Sequence, residues 1–155
     1  FKDDNDAAVN RFLEKAKEAD GFVFGPPVYF AHPSGQLLSF LIRVFYSSAV
    51  GELYPVFAGK PGAAIASARR GGTTAAVDVI QKYFGIASMP IVTSTYWNMV
   101  HGMTPDEVRK DLEGMQTMRN VGRNIAWMLK GLAKQEKETS FADHVEATHR
   151  TDFHH

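Results

Sequence analysis

Three short apolar runs, set between segments of helical periodicity, constrain the fold of this chain more than any other feature. GFVFG (Gly21 to Gly25), GAAIASA (Gly62 to Ala68) and MPIVTST (Met89 to Thr95) have strand length and are bounded by glycine, proline or polar residues. The second is built of small and β-branched residues, which suits burial on both faces of a sheet. Around them, Val9, Phe12, Leu13 and Ala16 predict a helix from about Asp6 to Ala19, with N-cap candidates in DDND. Leu38, Leu41, Ile42 and Phe45 form a second helical stripe, and Ala76, Val79, Ile80 and Tyr83 a third. Helices alternating with buried strands specify an α/β fold with a parallel, doubly wound sheet.

The last helix has the clearest start. In TPDE (Thr104 to Glu107), Thr104 is the N-cap, Pro105 takes the first helical position and Glu107 completes a capping box. Val108, Leu112, Met115, Gly122, Ile125, Leu129 and Leu132 then predict one core-facing stripe running to about Gln135. Gly51 to Pro61 is expected to be a loop. Residues 136–153 form a polar tail, and His154 and His155 look like the start of a purification tag. Residues 1–153 read as a single domain. It is expected to open in mid-domain, since a doubly wound sheet has about five strands and only three are visible.

Composition narrows the function. In 155 residues, 17 Lys and Arg balance 17 Asp and Glu, so the clustered positive excess of a nucleic-acid footprint is absent. No cysteine is present, which excludes a thiol nucleophile and cysteine-ligated metal or iron–sulfur centres and agrees with a cytoplasmic setting. No apolar run reaches membrane-spanning length. A G-x-S-x-G elbow and a G-x-G-x-x-G fingerprint are also absent.

In a parallel sheet, ligands bind beyond the carboxyl ends of the strands. All three strand-end loops are conspicuous. In GPPVYFAHPSG, Pro26 and Pro27 break the strand and stiffen the chain before Tyr29 and Phe30. These rings either wall a planar ligand or pack on the second helix. In SARRGG, Gly71 and Gly72 allow close backbone approach ahead of a helix start capped by Thr73 or Thr74. Arg69 and Arg70 add positive charge for an anionic or carbonyl-bearing ligand, unless they are merely solvated. TYWNMVHG presents Tyr96, Trp97, Asn98, Met99 and His101 to a ligand or to a subunit contact. His32 has no second histidine at metal-ligand spacing.

ADGFVFGPPVYFAHPSGQLLSFL, FAGKPGAAIASARRGGTTAAVD and MPIVTSTYWNMVHG, matching in order, resemble the flavodoxin-like NAD(P)H-dependent FMN reductase family. The likeness is to its branch related to iron–sulfur flavoproteins, without the cluster cysteines. The resemblance implies a flavodoxin-like sheet of order 2-1-3-4-5, of which this chain shows strands 3, 4 and 5. The phosphate loop and the first two strands would precede Phe1. It implies FMN contacts from Pro27, Val28, Tyr29 and Phe30 along the ring, and from Ala68, Arg69, Arg70, Gly71 and Gly72 at the pyrimidine edge. Tyr96, Trp97, Asn98 and His101 would border the substrate side or a subunit interface. It further implies NAD(P)H as electron donor, a small-molecule acceptor such as a quinone, azo compound, metal oxyanion or flavin, and a homodimer or homotetramer. Two alternatives stand beside it: an electron-transfer flavoprotein with no NAD(P)H reaction of its own, and a flavin-free oligomerisation domain.

Overall fold

The structure, a computed structural model, describes residues 7–49 and 56–134. The expected DDND cap, much of the 51–61 loop and the polar tail lie outside the described residues. Helix α1 (Ala7–Glu18) leads into strand β1 (Phe22–Phe24), and a hairpin of β2 (Val28–Tyr29) and β3 (His32–Pro33) precedes α2 (Gly35–Ala49). Strands β4 (Gly62–Ala64) and β5 (Ala66–Ala68) feed α3 (Thr73–Ile86). Strand β6 (Met99–His101) is followed by α4 (Pro105–Lys110) and α5 (Leu112–Leu132).

Gly62 to Ala68 is the central strand. Its first half pairs in parallel with β1, in the register Phe22 to Gly62, Val23 to Ala63 and Phe24 to Ala64. Its second half pairs in parallel with β6, in the register Ala66 to Met99, Ser67 to Val100 and Ala68 to His101. The hand-over falls at Ile65, whose N–H donates to Phe24 O at 2.9 Å, while Ala66 N–H donates to Asn98 O. Successive residues of this strand serve opposite cores, as the two-residue period requires. Ala64 and Ala66 join α1, α2 and α3 around Phe22, Phe24, Phe45, Phe57 and Phe84. Ala63 packs instead with Val92 and Val121, flanked by Ile125 and Met128 of α5. Phe45 stacks on Phe57 at 4.3 Å, and Phe24 on Phe84 at 5.9 Å. Small central residues let these rings close on the sheet. A Cβ on Gly62 would stand 3.0 Å from Met89 Cε and 3.1 Å from the Phe84 ring.

Four expectations need correction. The third strand is not Met89 to Thr95. Only a bridge between Gly62 and Ile91 forms there, and the regular pairing falls at Met99–His101. Pro90 has no N–H for a ladder, and α5 holds the following polar residues off the sheet. Ser94 Oγ donates to Thr117 O at 2.7 Å, Asn124 Nδ2 to Thr93 O at 2.7 Å and Asn120 Nδ2 to Thr95 Oγ1 at 3.0 Å. The last helix is two helices, because Asp111 leaves the helical path (ψ 82°) and caps α5, its Oδ1 accepting from Gly114 N–H at 2.9 Å. The break turns α5 so that Gly114, Thr117 and Val121 are buried while Leu112 is exposed. In α2, Val44 rather than Ile42 faces the core. Val23 is 51% exposed, so the first strand is covered on the Phe22 and Phe24 face alone.

Candidate functional site

Because the strands run parallel, β1, β5 and β6 deliver their following loops to one end of the sheet. The first two loops are joined through backbone. Proline cannot donate to a ladder, but its carbonyl still accepts. Ser67 N–H donates to Pro26 O at 3.3 Å, and Pro27 bridges in parallel to Ser67. The two prolines therefore carry the β1 chain past its last ladder bond while it still lies against β5. Beyond them the chain turns back as a hairpin, with Val28 opposite Pro33 and Tyr29 opposite His32.

The two residues at the hairpin turn, Phe30 and Ala31, have φ of 51° and 58°. Positive φ at both central positions is the requirement of a type I′ turn, which asparagine and glycine meet most readily. The inner side of this turn rests on Gly72, itself at φ 89°. A Cβ on Gly72 would stand 2.6 Å from Ala31 Cα and 3.2 Å from Val28 Cγ1. Glycine is needed here on both counts, conformation and close approach.

Gly72 is also the N-cap of α3, and no side chain caps it. This corrects the expected threonine cap. Thr73 lies inside the helix and is buried, with its hydroxyl donating to Met99 Sδ at 3.1 Å. The opening N–H groups of α3 are thus free of a side-chain cap, at the positive end of the helix dipole. Arg69, Arg70 and Gly71 are exposed just before them, and Ala68 is buried as the last residue of β5. Pro27 and Tyr29 are exposed, Val28 is half-buried, and Phe30 is fully exposed. The structure so joins the two loops where Pro27 meets Ser67 and where Val28 and Ala31 meet Gly72.

The third loop divides. Tyr96 and Trp97 are exposed, with ring centroids 6.5 Å apart. Asn98 is 3% exposed, and its Nδ2 donates to Ala64 O at 3.0 Å and Val92 O at 3.3 Å. Its amide therefore ties the outer strand to the central one. A cavity of about 450 Å³ lies against Val77, Ile91, Thr95, Tyr96 and Trp97, between α3 and this segment. His101, at the end of β6, donates its backbone N–H to Asp111 Oδ2 at 2.7 Å, with Nδ1 3.7 Å from the same oxygen. The N–H bonds from Gly114 and His101 hold the Asp111 carboxyl below its usual range, against a smaller opposing effect of burial. Sequence reasoning missed Asp111, although an aspartate ahead of a helical run is itself an N-cap signal. His32 is exposed on β3, and no cluster of metal-ligating side chains occurs among the described residues.

Comparison with known proteins agrees with this geometry. The family described as NADPH-dependent FMN reductase matches residues 1–104. An iron–sulfur flavoprotein from Methanocaldococcus jannaschii is 33% identical over 133 residues, covering 81% of this chain and 67% of that protein. Among solved structures, a flavodoxin from the domain Archaea superposes with TM-score 0.53 at 19% identity, over 76% of this chain and 71% of that one. A WrbA-like flavodoxin from Agrobacterium tumefaciens superposes with TM-score 0.51 at 15% identity, over 77% and 78%. These likenesses establish the flavodoxin-like fold.

Proposed function

From the premise that this chain belongs to the NADPH-dependent FMN reductase family, we propose that it binds FMN across the two joined loops and passes electrons from NAD(P)H to a small-molecule acceptor. The observation that carries this reading is the seating of the 28–33 hairpin on Gly72. It sets the exposed Tyr29 near the Gly71–Gly72 loop and the uncapped start of α3, at the carboxyl end of a parallel sheet. Flat apolar surface on one side and N–H groups on the other fit a ring system with a carbonyl-bearing edge. Gly71, where an added Cβ would meet nothing within 4 Å, leaves that edge open.

When bound, FMN supplies hydride acceptance and the onward transfer of electrons. The chain's own residues bind and orient it. The prolines fix the ledge before a ligand arrives, which lowers the ordering entropy of binding. The uncapped start of α3 and the Arg69 and Arg70 side chains stabilise negative charge at the carbonyl edge. Asp111 fixes the backbone of His101 at the rim. The functional unit is proposed to be a homodimer or homotetramer of the 17.2 kDa chain, which light scattering on the purified protein tests.

Titration with FMN, followed by anaerobic mixing with NADPH, tests the main proposal. Tight flavin uptake and bleaching of its visible absorption by NADPH are expected. Failure to take up FMN defeats the reading. Bleaching by dithionite but not by NADPH or NADH would instead identify an electron carrier that depends on a separate reductase.

A further inference from the structure

Phe30 is the residue that folding explains least. Its backbone is left-handed at φ 51°, a conformation that crowds Cβ against the following carbonyl oxygen of any L residue. A strained position is commonly offset by packing of its side chain, but the Phe30 ring has a relative exposure of 103%. Asparagine or glycine would make the same turn with less strain. The hairpin beneath is well anchored, by Gly72 under Ala31 and Val28 and by the Pro27 bridge to Ser67. Strain at an anchored tip, carrying a ring with both faces free, points to a role in a bound state.

We propose that Phe30 is a stacking platform for the second substrate, a planar aromatic electron acceptor, rather than a wall of the flavin pocket. The inference rests on the flavin reading above. The ring is left uncovered, while the backbone of the same turn rests on Gly72 through Ala31. Phe30 is the most exposed large apolar side chain of the hairpin, ahead of Tyr29. Offset stacking on an aromatic ring favours a planar acceptor over a compact, strongly hydrated oxidant.

Steady-state reduction of menadione and of ferricyanide, with NADPH as donor, tests this in Phe30→Gly, Phe30→Asn and Ala31→Gly. Both Phe30 variants are expected to raise the menadione KM about three- to tenfold relative to the ferricyanide KM, the loss of one aromatic stack. Both are also expected to raise Tm by roughly 2–4 °C, as left-handed strain is relieved. Ala31→Gly relieves the same kind of strain but keeps the ring, so it should raise Tm and leave the menadione KM in place. An unchanged KM ratio in both Phe30 variants overturns the proposal. So does FMN affinity falling in step with the menadione KM, which would make Phe30 a cofactor wall. Dissociation of an oligomer in the Phe30 variants would overturn it in favour of a subunit contact. Wild-type protein that binds no FMN defeats the parent reading, whereas wild-type menadione turnover with insensitive Phe30 variants defeats this inference alone.

Discussion

At φ 89°, Gly72 occupies backbone that an L side chain adopts at a cost of about 1–2 kcal/mol. An added methyl would also press on Ala31, and overpacking of that kind costs about 1–3 kcal/mol. Gly72→Ala is therefore expected to destabilise the protein by about 2–5 kcal/mol in urea unfolding. It should also weaken FMN uptake, since the hairpin must lift to make room. Gly71, one residue earlier, has open space at its Cβ. Gly71→Ala should stay within about 0.5 kcal/mol of wild type in the same measurement. The two adjacent arginines are exposed, so their effect belongs to binding rather than folding. If they meet the 2′-phosphate of NADPH, Arg69→Ala or Arg70→Ala should raise the NADPH KM about fivefold over any change for NADH. Equal changes for the two donors would remove that role.

Among the elements, those whose signal is local were legible and those set by side chains from elsewhere were not. The periodicity of residues 7–18 and 73–86, and the TPDE start, appear in the structure within a residue or two of where the pattern places them. Thr104 Oγ1 accepts from Glu107 N–H, while Glu107 reaches back to Met103 N–H rather than to the cap itself. The displaced third strand depended on Asn120, Asn124 and Thr117, twenty to thirty residues further on. The Phe30–Ala31 turn gives no composition cue, because neither residue favours positive φ. Asp111 was hidden for a different reason: an apolar stripe runs past it in the sequence, and the capping signal competes with that stripe. Its carboxylate holds two elements, accepting from Gly114 N–H in α5 and from His101 N–H in β6. Since its folded pKa lies below the unfolded value, its contribution is full above about pH 4–5. That contribution is lost as pH falls through the depressed folded value. Asp111→Ala should cost about 1–3 kcal/mol at pH 7, combining a lost cap with an orphaned His101 N–H. The gap to wild type should narrow on acidification towards pH 3, as followed by urea midpoints across pH. A gap that stays constant would show that the charge of Asp111 contributes nothing.

For the molecule as a whole, the core and the site can be separated, because they occupy different regions of the same sheet. The phenylalanine cluster lies along β1 and β4, beneath α1, α2 and α3, whereas the site is built on loops beyond the strand ends. Phe84 is fully buried against Phe24 and Gly62, so Phe84→Ala should cost about 3–5 kcal/mol. That is a large fraction of the 5–15 kcal/mol typical of a domain. A ligand that binds only the folded state adds about 2.7 kcal/mol at a hundredfold excess over Kd, or about 5–11 °C in Tm for a chain of this size. Phe84→Ala should therefore melt much lower without FMN and yet gain nearly the wild-type increment when FMN is added. Gly72→Ala should lose stability and part of the increment together, because the residue it changes supports both loops of the site. Thermal melts of the three proteins with and without FMN decide the matter. If Phe84→Ala forfeits the increment while Gly72→Ala keeps it, the flavin is held by something other than the hairpin and the Gly72 loop.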